Sequence, residues 1–307
     1  MSKSTTPLAV KKFEFSDIPD LSNKVIIVTG ANKGLGCITA RELARKNAIL
    51  IMACRNVEEG KAVREQFIHS YPSAKIEVLS IDLSNLESIK NFVSEFKSKF
   101  STLDVLVNNA GATARFKLPP DAKTTDGFEY FFGVNHLGTF TLTGLLFDLF
   151  TDDARIITVS SLSHKQSKIH FDDLNGKRSR MSLYGQSKLA NLLFSYELAR
   201  KIKEHNLDIK SIAVHPGFAR TTPRNDAFFV RFGQKLLAQS AEKGALPLLY
   251  ASTMTDAQNG DYIGPGGFYG IKGYPKRVKS NKNSYNEDDA KHLWFISEEL
   301  TKIKFKL

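Results

Sequence analysis

The stretch KVIIVTGANKGLG at residues 24–36 decides the fold. The apolar run Val25–Val28 predicts a strand buried on both faces, and the periodic apolar residues after Gly36 predict a helix. Glycine lets the backbone approach a pyrophosphate closely, and the free N–H groups of a helix N-terminus favour an anion. The G-x-x-x-G-x-G spacing therefore predicts a dinucleotide-binding turn, although a tight strand-to-helix turn with incidental glycines has the same pattern.

The same alternation of a short apolar run and a helical segment continues along the chain. Further β-type runs occur at Ile49–Ala53, Ile76–Ile81, Val105–Val107, Ile156–Val159 and Ile212–Val214. Successive β–α steps without a Pro/Ser/Gly-rich linker predict one doubly wound α/β domain, with a mostly parallel sheet of about seven strands flanked by helices. We expect this domain to span residues 21–307 after an N-terminal tail at residues 1–20. The glycine-rich segment 260–270 predicts a loop that flanks a last edge strand, and a final helix is predicted from Glu287, with Ala290, Leu293 and Trp294 facing inward.

Composition restricts the class of protein. The chain has 307 residues and a net charge of +11, but no zinc spacing or aromatic-interleaved basic repeat accompanies the charge, so we expect a solvated surface and no nucleic-acid partner. Two cysteines, Cys37 and Cys54, favour a reducing compartment. The N-terminus lacks a signal-peptide core, and Leu137–Phe150 is too short to span a bilayer. We therefore predict a soluble, cytoplasmic protein without a membrane anchor.

The end of the second predicted strand indicates which dinucleotide is bound. An NAD-binding fold places a carboxylate about 20 residues after the glycine loop, where it accepts the ribose hydroxyls. Here the strand ends in MACRN at residues 52–56, which contains no carboxylate. The guanidinium of Arg55 matches a 2′-phosphate through two parallel hydrogen bonds, and Lys33 adds a second positive charge. NADP(H) is favoured over NAD(H), with an ordinary surface arginine as the alternative.

A tyrosine and a lysine lie four residues apart in YGQSK at residues 184–188. On a helix this spacing places Tyr184 and Lys188 on one face. A nearby ammonium favours the phenolate and so lowers the ordinary tyrosine pKa of about 10 towards neutrality. The pattern predicts a general acid/base, but an exposed tyrosine–lysine pair has the same spacing.

Taken together, these motifs resemble the short-chain dehydrogenase/reductase family of the Tyr-Lys type, from residue 24 to the C-terminus. Six motifs occur in the family's order: TGANKGLG at 29–36, NNAG at 108–111, VNHLGTF around Asn135, VSS at 159–161, YGQSK at 184–188 and HPG at 215–217. Within the family, the chain is similar to the retinol dehydrogenase and protochlorophyllide reductase-like branch. The similarity lies in the stretch ACRN, the segment between Ser161 and Tyr184, and HPGFART. The resemblance implies a Rossmann-type fold and hydride transfer between NADP(H) and a carbonyl or alcohol.

The resemblance also implies roles for individual residues. Tyr184 would be the general acid/base, Lys188 would lower its pKa and hold the nicotinamide ribose, and Asn135 would anchor a water leading to Lys188. Ser161 would hydrogen-bond the substrate oxygen, with Ser160 as the alternative because adjacent strand residues face opposite sides. The remaining cofactor contacts would come from Gly30, Asn32, Lys33, Gly34, Leu35, Gly36, Arg55, Asp82, Leu83, Asn109, Ala110, Gly111, Pro216, Gly217 and Thr221.

The segment at about 218–243 is similar to the family's substrate lid. Its phenylalanines favour a bulky apolar carbonyl or alcohol, although a buried helix face would have the same composition.

We expect no metal, because the histidines show no ligand spacing. Members of the family often form homodimers through the helices that correspond to residues 136–150 and 184–200, but relatives of this branch vary, so the resemblance leaves the oligomeric state open. A non-catalytic NADP(H)-sensing regulatory protein is the alternative function, and the presence of all four catalytic residue types counts against it.

Overall fold

The computed structural model describes residues 12–114, 118–119, 121–176, 178–218 and 239–307. They form one α/β domain around an eight-stranded sheet with the order β3-β2-β1-β4-β5-β6-β7-β8. The strands are β1 Val25–Thr29, β2 Ile49–Cys54, β3 Lys75–Ser80, β4 Leu103–Asn108, β5 Phe150–Val159, β6 Ile209–Val214, β7 Tyr262–Pro265 and β8 Pro275–Arg277. All neighbours are parallel except β7 and β8, which are antiparallel. The predicted fold class is confirmed.

Helices flank the sheet on both faces, as continuous apolar strands require. They are α1 Gly34–Arg45, α2 Val57–Ser70, α3 Leu86–Lys99, α4 Tyr130–Phe132, α5 Gly138–Leu145, α6 Arg180–Glu204, α7 Ala241–Thr253 and α8 Glu287–Thr301. A π-helix, Gly133–Leu137, joins α4 to α5. Apolar side chains of the central strands are buried on both sides of the sheet, in separate clusters against α1 and α7 and against α3 and α5. Within the described ranges, no helix has the length and apolar character that crossing a bilayer needs.

The sheet has one strand more than predicted. β8 begins at Pro275, and its next residues, Lys276 and Arg277, are exposed. A short, charged, antiparallel edge strand is a common way to end a sheet, because charge discourages pairing with another chain. It carries no apolar run, so periodicity could not reveal it.

The N-terminal residues also differ from expectation. Phe13 and Ile18, which the sequence places in a tail, are both buried, and the Phe13 ring packs edge-on against Tyr250 of α7 at 5.3 Å. Residues 12–20 therefore contribute to the core although their composition is that of a polar segment.

The C-terminal segment covers the outer face of α5 and α6. Trp294 of α8 lies 5.1 Å from the ring of Phe140 and 5.9 Å from that of Phe194. Phe305 packs against the same two rings, and a Cβ at Gly144 would lie 2.9 Å from it. The segments through which family members often pair, residues 136–150 and 184–200, include Phe140 and Phe194, and the chain's own C-terminal segment covers both rings.

Candidate active site

The predicted cofactor residues follow the carboxyl ends of β1, β2, β3, β4 and β6, at one edge of the sheet. The strand order reverses between β1 and β4, and open α/β sheets bind ligands in the crevice at such a point. Thr29 fixes the crevice, because its hydroxyl accepts hydrogen bonds from the backbone N–H groups of Asn109 (3.0 Å) and Ala110 (2.9 Å). The Asn109 side chain returns a bond to the Thr29 carbonyl at 2.8 Å. The two loops therefore form one rigid unit.

The glycine loop requires its glycines. Gly30 and Gly34 adopt φ values of +66° and +60°, which side chains disfavour. A Cβ at Gly36 would lie 2.3 Å from the Gly30 carbonyl oxygen and 2.5 Å from the Asn109 amide nitrogen. The first turn of α1, in which Leu35 is half-buried, therefore packs directly against the loop that precedes it.

The N-terminus of α1 fits an anion. Lys33 precedes this helix without a side-chain cap, and the first turn holds no acidic residue. Four other helices are capped by Asn56, Asn85, Ser240 and Asn286, and each has an acidic first turn. Uncapped N–H groups and the helix dipole attract phosphate, so this end of α1 suits the pyrophosphate of a dinucleotide.

Two exposed cations lie beside this turn. Thr29 pairs with Ala53 in the sheet, so Arg55 at the end of β2 follows next to the loop that carries Lys33. Both side chains are exposed, and neither joins an ion pair within the described residues. The Asn32 amide is engaged, because it donates to the Glu59 carboxylate at 2.6 Å.

The residues after β3 are held by local bonds. The Asp82 carboxylate accepts from the backbone N–H of Ser84 at 2.9 Å and from its hydroxyl at 2.7 Å. Leu83 is buried, and a Cβ at Gly138 would lie 2.5 Å from its carbonyl oxygen. These two predicted cofactor contacts therefore stand on a rigid turn.

Lys188 is a buried cation with a shifted pKa at the centre of the site. Its ammonium is buried, donates to the Val159 carbonyl at 3.0 Å, and lies 6.0 Å from the ring centroid of Tyr184. Burial away from water disfavours the charged form and lowers the pKa of Lys188 to about 8. The half-buried Tyr184 ring packs edge-on against Phe131 at 6.1 Å. The structure therefore brings the predicted tyrosine and lysine together.

Asn135 lies in the π-helix and connects three segments. Its side chain accepts from the Ala112 N–H at 2.7 Å and donates to the Ala112 carbonyl at 3.0 Å and to the Ser187 hydroxyl at 2.9 Å. Ser187 in turn donates to the Tyr184 carbonyl at 2.8 Å. A Cβ at Gly111 would lie 2.7 Å from the Asn135 oxygen and 3.5 Å from the Lys188 nitrogen. Asn135 thus aligns the β4 loop with the helix that carries Tyr184 and Lys188.

The two serines after β5 have different surroundings. The Ser160 hydroxyl is buried and donates to the Lys188 carbonyl at 2.7 Å. Ser161 is half-buried, and among the described residues its hydroxyl contacts the backbone N–H and the hydroxyl of Ser163, both at 3.3 Å. The Ser160 hydroxyl is committed to the backbone, whereas that of Ser161 is held weakly.

The HPG segment is fixed by backbone and amide contacts. Gly217 has φ +66°, and the Gln239 amide donates to the Pro216 carbonyl at 2.7 Å. The Phe218 N–H donates to the Ile271 carbonyl at 2.9 Å. The predicted contact Thr221 and the lid phenylalanines 228, 229 and 232 lie outside the described residues.

Two polar residues at the site escaped sequence reasoning. The Asn191 amide donates to the Val159 carbonyl at 3.1 Å, so it shares that acceptor with Lys188. It lies three residues after Lys188 on the same helix face, which is a usable signal. Ser187 bridges Asn135 and Tyr184, but nothing in its position within YGQSK distinguishes it from a surface serine. No three His, Cys, Asp or Glu side chains of the described chain are grouped as metal ligands would be.

Comparison with known proteins places these features in one family. The family model described as short chain dehydrogenase matches residues 24–228. Retinol dehydrogenase 12 of Mus musculus is 35% identical over 295 residues, covering 93% of this chain and 89% of its own length. Polyprenol dehydrogenase of Homo sapiens is 35% identical over 296 residues, covering 92% and 86%.

Solved structures share the fold. An uncharacterised protein from Mycobacterium paratuberculosis superposes with a TM-score of 0.81 and 36% identity, covering 97% of this chain and all of its own. A short chain dehydrogenase from Burkholderia cenocepacia, crystallised in complex with NADP, has a TM-score of 0.65 and 22% identity over 79% of this chain and 96% of its own. The second similarity supports the fold alone.

Proposed function

The chain belongs to the short-chain dehydrogenase family, in its retinol dehydrogenase-like branch, and we propose that it transfers a hydride between NADP(H) and an apolar carbonyl or alcohol. The observation that carries the proposal is the burial of Lys188 beside Tyr184 on α6. A buried lysine is costly for a fold, so its retention next to a phenol favours a chemical role.

In this mechanism Tyr184 exchanges a proton with the substrate oxygen. With a pKa of about 8, Lys188 is mostly protonated at neutral pH. Its positive charge favours the phenolate of Tyr184, which brings proton exchange closer to neutral pH. Ser161 would donate a hydrogen bond to the same substrate oxygen, where negative charge develops during reduction. The bound nicotinamide supplies or accepts the hydride.

The residues at the strand ends would hold the cofactor. The uncapped start of α1 would receive the pyrophosphate, and Lys188 would also contact the nicotinamide ribose. Arg55 and Lys33, both exposed at this edge of the sheet, would bind the 2′-phosphate and favour NADP(H) over NAD(H). Charge supports this choice, because the end of β2 provides a cation where NAD-binding folds provide a carboxylate.

Relatives support an apolar substrate. Retinol and polyprenol dehydrogenases are named for long apolar alcohols. In this chain Met181, one turn before Tyr184 on α6, is 62% exposed. An apolar side chain displayed beside the site suits a substrate with a hydrophobic body. We retain the reducing cytoplasm as the proposed location, since Cys37 and Cys54 are both free thiols.

The test is a panel of long-chain and cyclic aldehydes, ketones and alcohols, assayed for NADPH oxidation or NADP reduction. We expect turnover with apolar members of the panel and its loss, by about 10²–10⁴-fold, in Tyr184→Phe. The matched control is Tyr71→Phe, which changes a half-buried tyrosine at the end of α2 and should retain the wild-type rate. Equal rates in wild type and Tyr184→Phe would remove Tyr184 from its role.

A non-catalytic NADP(H) sensor is the second candidate. It would bind NADPH with the same selectivity yet turn over no member of the panel. The bonds that join Asn135, Ser187 and Tyr184 favour the enzyme, because a sensor has no need to align the tyrosine with the β4 loop.

A further inference from the structure

Ser161 begins a single turn of 3-10 helix, Leu162–Gln166, and this turn has an unusual anchor. The Ser161 carbonyl accepts two hydrogen bonds from one residue: from the backbone N–H of His164 at 3.1 Å and from its Nδ1 at 2.5 Å. The His164 side chain therefore fixes the peptide group that immediately follows the Ser161 side chain.

A hydrogen bond to Nε2, the second ring nitrogen of His164, sets the tautomer of this side chain. The ring is fully buried, and its Nε2 accepts a hydrogen bond from the backbone N–H of Asn281 at 3.3 Å. An accepting Nε2 leaves the proton on Nδ1, which is the atom that must donate to the Ser161 carbonyl. Burial also lowers the pKa of His164, so the neutral ring that this arrangement needs is the one that the site favours.

Asn281 belongs to a short C-terminal clamp, which we define as residues 280–285. Its side-chain amide donates to the His164 carbonyl at 2.9 Å and to the Lys165 carbonyl at 3.3 Å. A few residues on, the Asn283 amide donates to the Ser167 carbonyl at 2.9 Å. The clamp thus holds the whole turn that Ser161 begins.

The same clamp is attached to α6. The Tyr196 hydroxyl shares a hydrogen bond with that of Ser280 at 2.9 Å, and its ring stacks on Tyr285 at 5.3 Å. Since α6 also carries Tyr184 and Lys188, the clamp connects the Ser161 turn to the helix of the proton-transferring residues. The clamp, more than 90 residues further along the chain, therefore adds a second connection between the Ser161 turn and α6, besides the direct bonds from Ser160 and to Val159.

We propose that His164 and Asn281 are positioning residues, which hold the Ser161 hydroxyl towards the substrate oxygen. The inference rests on the proposed function and deepens it. The hydroxyl needs outside support, because its own contacts with Ser163 are both 3.3 Å long and weak. A hydrogen-bond donor displaced by about 1 Å costs up to about 10²-fold in rate.

The first test compares two substitutions of the same residue. His164→Leu removes both ring contacts, and we expect kcat to fall roughly 10- to 30-fold while the NADPH dissociation constant is unchanged. His164→Asn keeps an amide near the Nδ1 position, so it should recover most of the lost rate. A general loss of folding would lower cofactor affinity too and would show no such recovery.

The second test is a double-mutant cycle with Ser161. Ser161→Ala alone should reduce kcat by about 10²–10³-fold. If His164 acts through Ser161, adding His164→Leu to Ser161→Ala should lower kcat no further. Independent, multiplying losses would overturn the proposal.

Asn281→Ala keeps the test valid if His164→Leu does not fold. It should lower kcat roughly 10-fold by releasing the turn. Asn259→Ala is the matched control, because the Asn259 side chain also bridges two backbone segments, at Ser211 (2.9 Å) and Ala199 (2.8 Å), and takes no part in the Ser161 turn. Wild-type kcat in both His164→Leu and Asn281→Ala would refute the positioning role alone, whereas an inactive wild-type protein would refute the proposed function.

Discussion

Replacing Lys188 with methionine should make the protein more stable while it abolishes turnover. Burial lowers the pKa of Lys188 from its ordinary value of 10.5 to about 8, so the folded protein holds this proton less tightly than the unfolded chain does. That difference in pKa corresponds to about 3 kcal/mol of destabilisation at pH 7. Methionine has a similar length and no charge, so it removes this destabilisation.

The substitution also removes one stabilising contact. The Lys188 ammonium donates to the Val159 carbonyl, and a hydrogen bond of this kind contributes about 1 kcal/mol. That carbonyl is not left unpaired, because the Asn191 amide still donates to it at 3.1 Å. We therefore expect a net gain of about 2 kcal/mol in the free energy of unfolding at pH 7, or roughly 4 °C in Tm.

The gain should depend on pH in a defined direction. Because the folded pKa lies below the unfolded one, the penalty is fully present below pH 8 and is relieved as the pH rises from 8 to 10.5. Urea unfolding of wild type and Lys188→Met, without cofactor, should show the advantage at pH 7 and almost none at pH 9.5. Lys203→Met, an exposed position on the same helix, should show no pH-dependent gain. No gain at pH 7, or a gain that persists undiminished at pH 9.5, would refute the buried-charge explanation.

Three other predictions concern the cofactor loop and the C-terminus. Arg55→Asp should weaken NADPH binding by about 30-fold or more, since a charge-assisted pair to phosphate contributes about 2 kcal/mol. Fluorescence titration should show NADH binding nearly unchanged. Equal affinities of the wild type for both cofactors would contradict the assignment. Gly36→Ala should lower the free energy of unfolding by more than about 1 kcal/mol, because the added Cβ would lie 2.3 Å from the Gly30 carbonyl oxygen; wild-type stability in urea would contradict that geometry. Because Trp294 and Phe305 cover α5 and α6, light scattering should give the 34.3 kDa mass of one chain, and a particle of twice that mass would contradict this expectation.

Periodicity in the sequence is enough to predict the fold class and the central strands. The helix from Glu287, with Ala290, Leu293 and Trp294 facing inward, is confirmed because its apolar stripe has the helical period. β8 could not be predicted in this way, since an exposed edge strand has no apolar run. The same limit applies at the N-terminus, where Phe13 and Ile18 are isolated apolar residues among charged ones and only tertiary packing buries them.

Residues that touch each other along one helix could be paired from the sequence, and the approach of Lys188 to Tyr184 agrees with that pairing. Contacts between distant segments could not be predicted from the sequence. Nothing in the sequence connects Asn281 to His164, because their hydrogen bonds join segments that only the folded chain brings together. Likewise, alternation along β5 indicates that only one of Ser160 and Ser161 can face the site, but the bond from Ser160 to the Lys188 carbonyl becomes visible only in the structure.

Direct hydride transfer is tested most clearly by isotope. Wild-type protein given an apolar aldehyde and NADPH with deuterium at both hydrogens of nicotinamide C4 should yield an alcohol with one deuterium at the carbinol carbon. Tyr184→Phe should bind NADPH with unchanged affinity and form this product about 10²–10⁴-fold more slowly. An alcohol without deuterium, or equal rates of its formation in the two proteins, would contradict the account.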